Sequence, residues 1–260
     1  MRLSSRPRSA WELLRKRRLR RRLASRALVR AFGRSYPEAF FIEIGANDGN
    51  QEDPLLEAIV EHRWRGIMVE PVPYVFNRLK ANYGSMSHVA LENAAIGTRE
   101  GMFPFFHLAE VKDHRVARLP RWYDGIGSFE LESVLTHREE IPDLAQRLIT
   151  TTVKTLTFDA LLTKHNVERV DLLLIDTEGH DAEVLRSIDL ARHRPRLLVY
   201  EHFHLDLEDR RECRQQVREA GYELLEEGFD TWCLRTEPSD DLTKRWHALK
   251  PALPAWIKGL

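Results

Sequence analysis

Cysteine is scarce: Cys213 and Cys233 are the two thiols in 260 residues, and their spacing fits no metal-ligand pattern. Such sparing use points to a reducing compartment rather than to a disulfide framework. Long apolar runs are missing too. No stretch approaches the roughly 18 to 20 uninterrupted apolar residues that a membrane-spanning helix needs. There is no G-x-G-x-x-G turn and no Tyr-x-x-x-Lys pair, which removes the strongest signs of a dinucleotide-dependent oxidoreductase. No internal repeat is evident. With 43% hydrophobic and 31% charged residues, the chain has the composition of a globular cytoplasmic protein, long enough to bury a sizeable core.

Acidic residues are almost absent from residues 1–34, where twelve arginines and Lys16 face Glu12 alone. The remaining residues hold 27 bases against 39 acids, so a neutral total conceals a basic arm on an acidic body. Within the arm, RKRRLRRR (15–22) is flanked by Trp11, Leu14, Leu23 and Leu28, with Leu19 inside it. Like-charge blocks of this kind are commonly solvated leaders. A basic amphipathic helix lying on anionic lipid is the second reading, making peripheral membrane association an expectation for residues 1–34. Nucleic acid is disfavoured, because no aromatic residues interleave with the bases for stacking. A secretory signal lacks its apolar segment here, whereas a transit peptide shares the arginine-rich, acid-poor composition.

From Ala39 onward, short apolar runs alternate with helical periodicity. Phe40 to Ile44, GIMVE (66–70), His88 to Asn93, VDLLLID (170–176) and RLLVYEH (196–202) predict buried strands. MFPFFHL (102–108) and TVKTLT (152–157) predict two more, the former out of the simple rhythm. Helices are expected over 52–62, 73–82, 158–165, 181–188 and 206–220, with YELLEE and DTWCLR as a closing hairpin. The fold class is α/β with a mostly parallel sheet and an antiparallel terminal strand. The expected organisation is an arm at 1–34, a domain at 35–240 with an insertion at about 109–150, and a tail at 241–260.

In a parallel sheet, ligands bind beyond the carboxyl ends of the strands, so residues just after each apolar run carry the chemistry. After the first run stand Gly45, Ala46, Asn47, Asp48 and Gly49, preceded by Glu43. Two glycines four apart permit a sharp turn and close approach to a ligand. The acids there would repel a phosphate and suit a cation, such as the sulfonium and ammonium groups of S-adenosyl-L-methionine. Glu70 ends the second strand, where a carboxylate can accept both hydroxyl protons of an adenosine ribose. Asn93 and Ala94 end the third and are candidates for the adenine edge.

IDTEGHD (175–181) places Asp176, Glu178, His180 and Asp181 directly after the most apolar strand, a costly arrangement unless they face a cleft. Asp181 could cap the next helix. Asp176, Glu178 and His180 read as a general base and acceptor-orienting set, joined by Glu201 and His202 from YEHFH (200–204). His202 and His204 share a face if the strand continues, and with Asp176 they could hold a divalent metal, whose ligands the spacing leaves unknown. Trp122, Tyr123 and His107 could stack on a sugar or be ordinary core aromatics.

The ordered set FIEIGANDGN, GIMVEPVPYVFNRLKANY, NAAIG, VKTLTFDALL, VDLLLIDTEGHDAEVLRSID and LLVYEH resembles the FkbM-type methyltransferases. The resemblance covers roughly residues 39–204. It implies a seven-stranded class I (Rossmann-like) methyltransferase fold and S-adenosylmethionine-dependent methyl transfer to a hydroxyl of a sugar, glycolipid or related natural product. It also implies Glu43, Gly45, Asn47, Asp48 and Gly49 as the first cofactor motif, Glu70 as the ribose acid, and Asp176, Glu178 and Gly179 as the Asp-x-Glu-Gly motif. The chain departs from the pattern at Leu174, where members often carry lysine, and in GANDGNQEDP, which lacks the usual valine. An adenine-dinucleotide oxidoreductase or epimerase, and a non-catalytic methyltransferase-like binding protein, are the alternatives.

Overall fold

The computed structural model describes residues 26–50, 53–112, 114 and 117–249. The RKRRLRRR block lies outside the described residues. Residues 26–35 are helical (α1), followed by β1 (Phe40–Ile44), α2 (Leu56–His62), β2 (Arg65–Val69), α3 (Pro73–Tyr83) and β3 (Val89–Glu92). Next come β4 (Ala95–Ile96), β5 (Gly101–Leu108), β6 (Gly127–Ser128), α4 (Leu131–Leu135), α5 (Leu144–Arg147) and β7 (Leu148–Leu156). The remainder is α6 (Phe158–Lys164), β8 (Leu172–Ile175), α7 (Asp181–Arg186), α8 (Leu190–His193), β9 (Leu197–Glu201), α9 (Leu207–Glu219), β10 (Glu223–Glu227), β11 (Asp230–Leu234) and α10 (Asp241–Leu249).

Seven strands form the main sheet in the order β10-β11-β9-β8-β1-β2-β3. Pairing is parallel from β3 across to β9, while β11 runs antiparallel to both its neighbours. The last strand is therefore antiparallel as expected, but it lies inside the sheet. Composition explains the placement: β10 is half-buried and carries Glu223, Glu226 and Glu227, whereas β11 buries Trp232, Cys233 and Leu234. An acidic, half-solvated strand suits an edge, where it also discourages pairing with another chain.

Strand alternation sorts the core into two layers. Ile42, Ile44, Leu173, Ile175, Leu198 and Tyr200 face α6, α7 and α9 through Leu161, Val184 and Val217. Phe41, Leu172, Leu174, Leu197 and Val199 face the opposite layer, with Phe32 of α1, Ile59 of α2, Leu79 of α3 and Trp246 of α10. Because both faces are covered, β8 is buried throughout and reads as the unbroken run Leu-Leu-Leu-Ile. The sheet thus recruits helices from both flanks of the 35–240 span. Cys213 and Cys233 are buried free thiols. Among the described residues no helix is long and apolar enough to cross a membrane.

A second sheet, β4-β7-β5-β6, stands apart from the first. TVKTLT is part of β7, and it pairs antiparallel with β5 from Gly101 opposite Thr155 to Leu108 opposite Leu148. The intervening segment folds around its own small core of Leu108, Tyr123, Ile126, Val134 and Leu144. Phe105 and Val153 pack on Val72 and Val75 at the start of α3, which fixes this unit over the carboxyl ends of the main strands. The chain runs outward from β1 to β3 and returns to β8 on the other side of β1. Between β1 and β8 lies the switch point at which such folds bind ligands.

Candidate active site

The turn after β1 is shaped by its neighbours. Gly45 has φ +84°, and a Cβ there would lie 1.7 Å from the backbone carbonyl oxygen of Asp176. The amides of Gly45 and Ala46 both donate to the carbonyl of Val69, at 2.9 and 3.0 Å. Asn47 N–H donates to Glu70 Oε2 at 3.0 Å and Val72 N–H to Glu70 Oε1 at 2.8 Å. Glu70 therefore ties the first turn to the second, and it lines a cleft. Asn93 donates its side-chain amide to the carbonyls of Glu70 and Pro71. Gly49 faces the other way: its carbonyl accepts from the Tyr83 hydroxyl at 2.7 Å, and a Cβ would strike the Tyr83 ring.

The expected cofactor set thus separates. Glu43, Gly45, Ala46, Asn47, Glu70 and Ala94 line the cleft. Asp48, Gly49 and Asn93 stand behind it and hold the loops. Asp48 accepts from Asn50 N–H through its side chain and from Asn82 through its carbonyl.

After β8, Asp181 organises the turn rather than capping the helix from outside. It is fully buried, its Oδ2 accepts from Thr177 N–H, the Thr177 hydroxyl and Gly179 N–H, and its Oδ1 accepts from Glu201 N–H. This bracing holds Glu178 at φ +53° and Gly179 at φ +109°. Asp176, Glu178, His180 and Glu201 consequently line one cleft with the cofactor residues. His180 packs against Phe129 of the second unit, ring centroids 5.1 Å apart, and its Nδ1 faces Glu183 at 3.6 Å.

His202 does not join them. Its Nδ1 lies 2.9 Å from the Thr231 hydroxyl, and burial drives its pKa down to about 4, as for a neutral wall residue. β9 ends at Glu201, so the expected alternation stops there and His204 turns elsewhere. His204 Nε2 sits 3.1 Å from Glu178 Oε2, beside His137. The trio of His202, His204 and Asp176 expected for a metal is not assembled. Of the three aromatics, Trp122 lines the cleft. Tyr123 and His107 are buried in the fold, bonded to the carbonyls of Ala109 and Leu108 respectively.

Charge is the cleft's most distinctive property. Glu43, Asp53, Glu70, Asp176, Glu178, Glu201, Glu227 and Asp230 line it, and among the described residues no lysine or arginine does. Burial, reinforced by Asp53 and Asp176, holds the Glu43 carboxyl well above the usual range. Burial and then Asp176 and Glu178 do the same to Glu201. Burial raises Glu70 to about 7 against the pull of its two backbone donors, and raises Asp53 and Asp181 to about 6. Glu43 Oε2 and Glu201 Oε2 find no hydrogen-bond partner among the described residues. Crowded, desolvated carboxyls with unused acceptors ionise readily only when positive charge arrives. Asp53, Glu227 and Asp230 escaped the sequence reading because Asp53 lies beyond the glycine turn and the other two stand at facing ends of β10 and β11, remote from the motifs in sequence.

His180 is shifted the other way. Burial lowers its pKa, partly offset by Glu183 and Glu130, so the imidazole is neutral at physiological pH and free to accept a proton.

Residues 43–224 match the Methyltransferase FkbM domain family. Among solved structures, the chain is similar to the methyltransferase FkbM from Methylobacillus flagellatus KT, at 14% identity and TM-score 0.44, covering 76% of this chain and 43% of that one. It is similar to precorrin-6y C5,15-methyltransferase from Geobacter metallireducens GS-15, at 12% identity and TM-score 0.41, covering 80% and 85% of the two chains. A third similar structure is the human methyltransferase 10 domain containing protein, at 13% identity and TM-score 0.38, covering 76% and 70%. The chain spans less than half the length of the first of these. No curated protein matches it.

Proposed function

The chain belongs to the FkbM methyltransferase family, and from that premise we propose that it is an S-adenosyl-L-methionine-dependent O-methyltransferase acting on a hydroxyl of a sugar, glycolipid or related natural product. The observation that carries this is the acid-lined cleft at the sheet's switch point, which no lysine or arginine among the described residues lines. A pyrophosphate would meet repulsion there. A sulfonium with an ammonium group supplies the positive charge that Glu43 and its neighbours lack.

Several residues present fit that cofactor. Glu70 keeps free lone pairs for the two ribose hydroxyls. Ala94, Ala95 and Ile96 offer an apolar wall to adenine. Glu43, with its unused Oε2, and the Gly45–Asn47 backbone are placed for the amino-acid end. When bound, the cofactor supplies an electrophilic methyl carbon, and the protein's task is alignment and proton removal.

A sugar hydroxyl is a weak nucleophile, so a base must take its proton as the new bond forms. His180 is that base. Its Nδ1 faces Glu183, leaving Nε2 to receive the proton. Asp176, Glu178 and Glu201 accept hydrogen bonds from neighbouring acceptor hydroxyls, and Trp122 provides a flat apolar surface for a sugar face. His202 takes no part, because Thr231 and burial occupy it.

Calorimetric titration of the full chain with S-adenosylhomocysteine and with NAD tests the cofactor class. Binding of the first alone is expected. Binding of NAD alone would reassign the cleft to a dinucleotide, and binding of neither would favour a non-catalytic protein.

A further inference from the structure

His137 belongs to a short 3-10 turn (Thr136–Glu139) in the second unit, in a segment that contains none of the motifs quoted above. The fold nevertheless brings it to the turn after β8. His137, Glu178 and His204 each offer a ligand atom, and these lie within 4.8 Å of one another. Three separate segments converge: the turn before α5, the loop after β8 and the loop after β9. Within the group, His204 Nε2 and Glu178 Oε2 are 3.1 Å apart. Ligands at 2.0–2.1 Å around a tetrahedral ion are separated by about 3.3 Å, so this pair already has the required spacing. His137 needs to approach by roughly the difference, within reach of a rotamer adjustment.

A second observation points into the same place. Glu201 is 7% exposed, its Oε2 lies 3.8 Å from His204 Nε2, and that oxygen has no hydrogen-bond partner among the described residues. An acceptor atom left desolvated and unbonded is costly unless something positive meets it. The backbone at Glu178, with φ +53°, is held in a conformation unusual for a glutamate by the Asp181 bracing, which presents the carboxylate towards the two histidines.

We propose that His137, Glu178 and His204 bind one divalent transition-metal ion, zinc foremost, with Glu201 beside it and a coordination position open towards the cleft. Two imidazoles and one carboxylate suit zinc or a neighbouring first-row ion, and suit the oxygen-seeking magnesium poorly. Glu178 and Glu201 line the cleft, so the open position faces the end assigned to the methyl acceptor. An ion there holds the acceptor's hydroxyl oxygen and lowers its pKa, and the released proton passes to His180. That use of the ion rests on the O-methyltransferase function proposed above; the ligand set itself does not.

The test is titration of the full, metal-free protein with Co²⁺, followed by visible absorption, with Zn²⁺ and Mg²⁺ as competitors. One equivalent of Co²⁺ should develop the bands of a nitrogen- and oxygen-ligated ion. Zn²⁺ should displace it and Mg²⁺ should not. His137→Ala and Glu178→Gln should each weaken Co²⁺ binding by at least about tenfold, whereas His247→Ala should leave it unchanged. Should His137→Ala fold poorly, His137→Gln retains bulk beside Trp122, whose ring is 5.3 Å away. Absence of the spectrum in wild type, or its persistence unchanged in both the His137→Ala and Glu178→Gln variants, overturns the site. S-adenosylhomocysteine calorimetry on the same samples keeps the two proposals distinct. Cofactor binding without cobalt binding removes the metal alone, and cobalt binding through these residues without cofactor binding supports the metal while removing the methyltransferase assignment.

Discussion

Replacing Glu70 with glutamine exchanges one carboxylate oxygen for an NH2 group where both oxygens accept backbone N–H bonds, from Asn47 at 3.0 Å and Val72 at 2.8 Å. Whichever way the amide turns, one backbone donor faces another donor, and one ribose hydroxyl loses a charged acceptor. A hydrogen bond to a charged group contributes about 1.5–3 kcal/mol, so affinity for S-adenosylhomocysteine should fall by about 10- to 150-fold. The pH profile separates this from a general loosening of the loop. Burial raises the Glu70 carboxyl to about 7, so a ligand requiring the carboxylate should bind roughly tenfold more tightly at pH 8 than at pH 6. The glutamine variant should lose that share of the slope. Stability runs the opposite way. With its folded pKa raised, Glu70 keeps a proton that the unfolded chain has released, so folding stability declines as pH rises from the usual carboxylate range to about 7. The decline is on the order of 3 kcal/mol at its fullest, and it too should vanish in the variant. Calorimetry across pH 6 to 8 reads the first effect, and urea denaturation carried from about pH 4.5 to pH 8 reads the second. Unaltered affinity with an unaltered pH slope would refute Glu70 as the ribose acid.

Gly45→Ala forces a left-handed φ on alanine and drives its Cβ onto the Asp176 carbonyl, at a cost of about 2–4 kcal/mol. The urea midpoint should drop accordingly, and an unchanged midpoint would contradict the close β1–β8 junction. His180→Ala should slow turnover by about 10²–10⁴-fold while leaving S-adenosylhomocysteine affinity nearly intact. Because burial lowers the His180 pKa, wild-type kcat at saturating S-adenosylmethionine should fall only as pH drops below the ordinary imidazole value, and the alanine variant should lose that dependence; equal turnover would remove His180 as the base. For the basic arm, we propose contact with anionic membrane. Liposome co-sedimentation should be salt-sensitive and should disappear when residues 1–25 are deleted, since α1 from residue 26 onward buries Leu28, Val29 and Phe32 in the core; retention by the truncated protein would contradict this.

Much of the main sheet was legible because burial on both faces writes itself as unbroken apolar runs. VDLLLID and RLLVYEH are such runs, and the acids after them had to face a cleft or remain unpaid-for in the core. Apolar runs report burial but not partners. TVKTLT therefore read as one more strand, and its pairing with β5 in a second sheet was hidden. The same limit hid β11, whose place inside the sheet depends on the acidic character of β10 rather than on its own pattern. His202 stands apart from the cleft because β9 ends at Glu201, where the alternation stops and Thr231 captures the ring. His137 gave no signal at all. It sits in a polar turn, and only the folding of the second unit brings it to Glu178 and His204. Asp48, Gly49 and Asn93 illustrate a further ambiguity, since residues that build a loop and residues that line it share one motif.

The central claim is methyl transfer to a hydroxyl oxygen in the acid-lined cleft, and transfer of a labelled methyl group from S-adenosylmethionine to a panel of glycans and glycolipids tests it most directly. Label should appear in an alkali-stable O-methyl ether on one acceptor class, should require Glu70 and His180, and should be suppressed by S-adenosylhomocysteine. Label found instead on nitrogen or as an alkali-labile ester, or transfer that survives loss of both residues, would contradict the account.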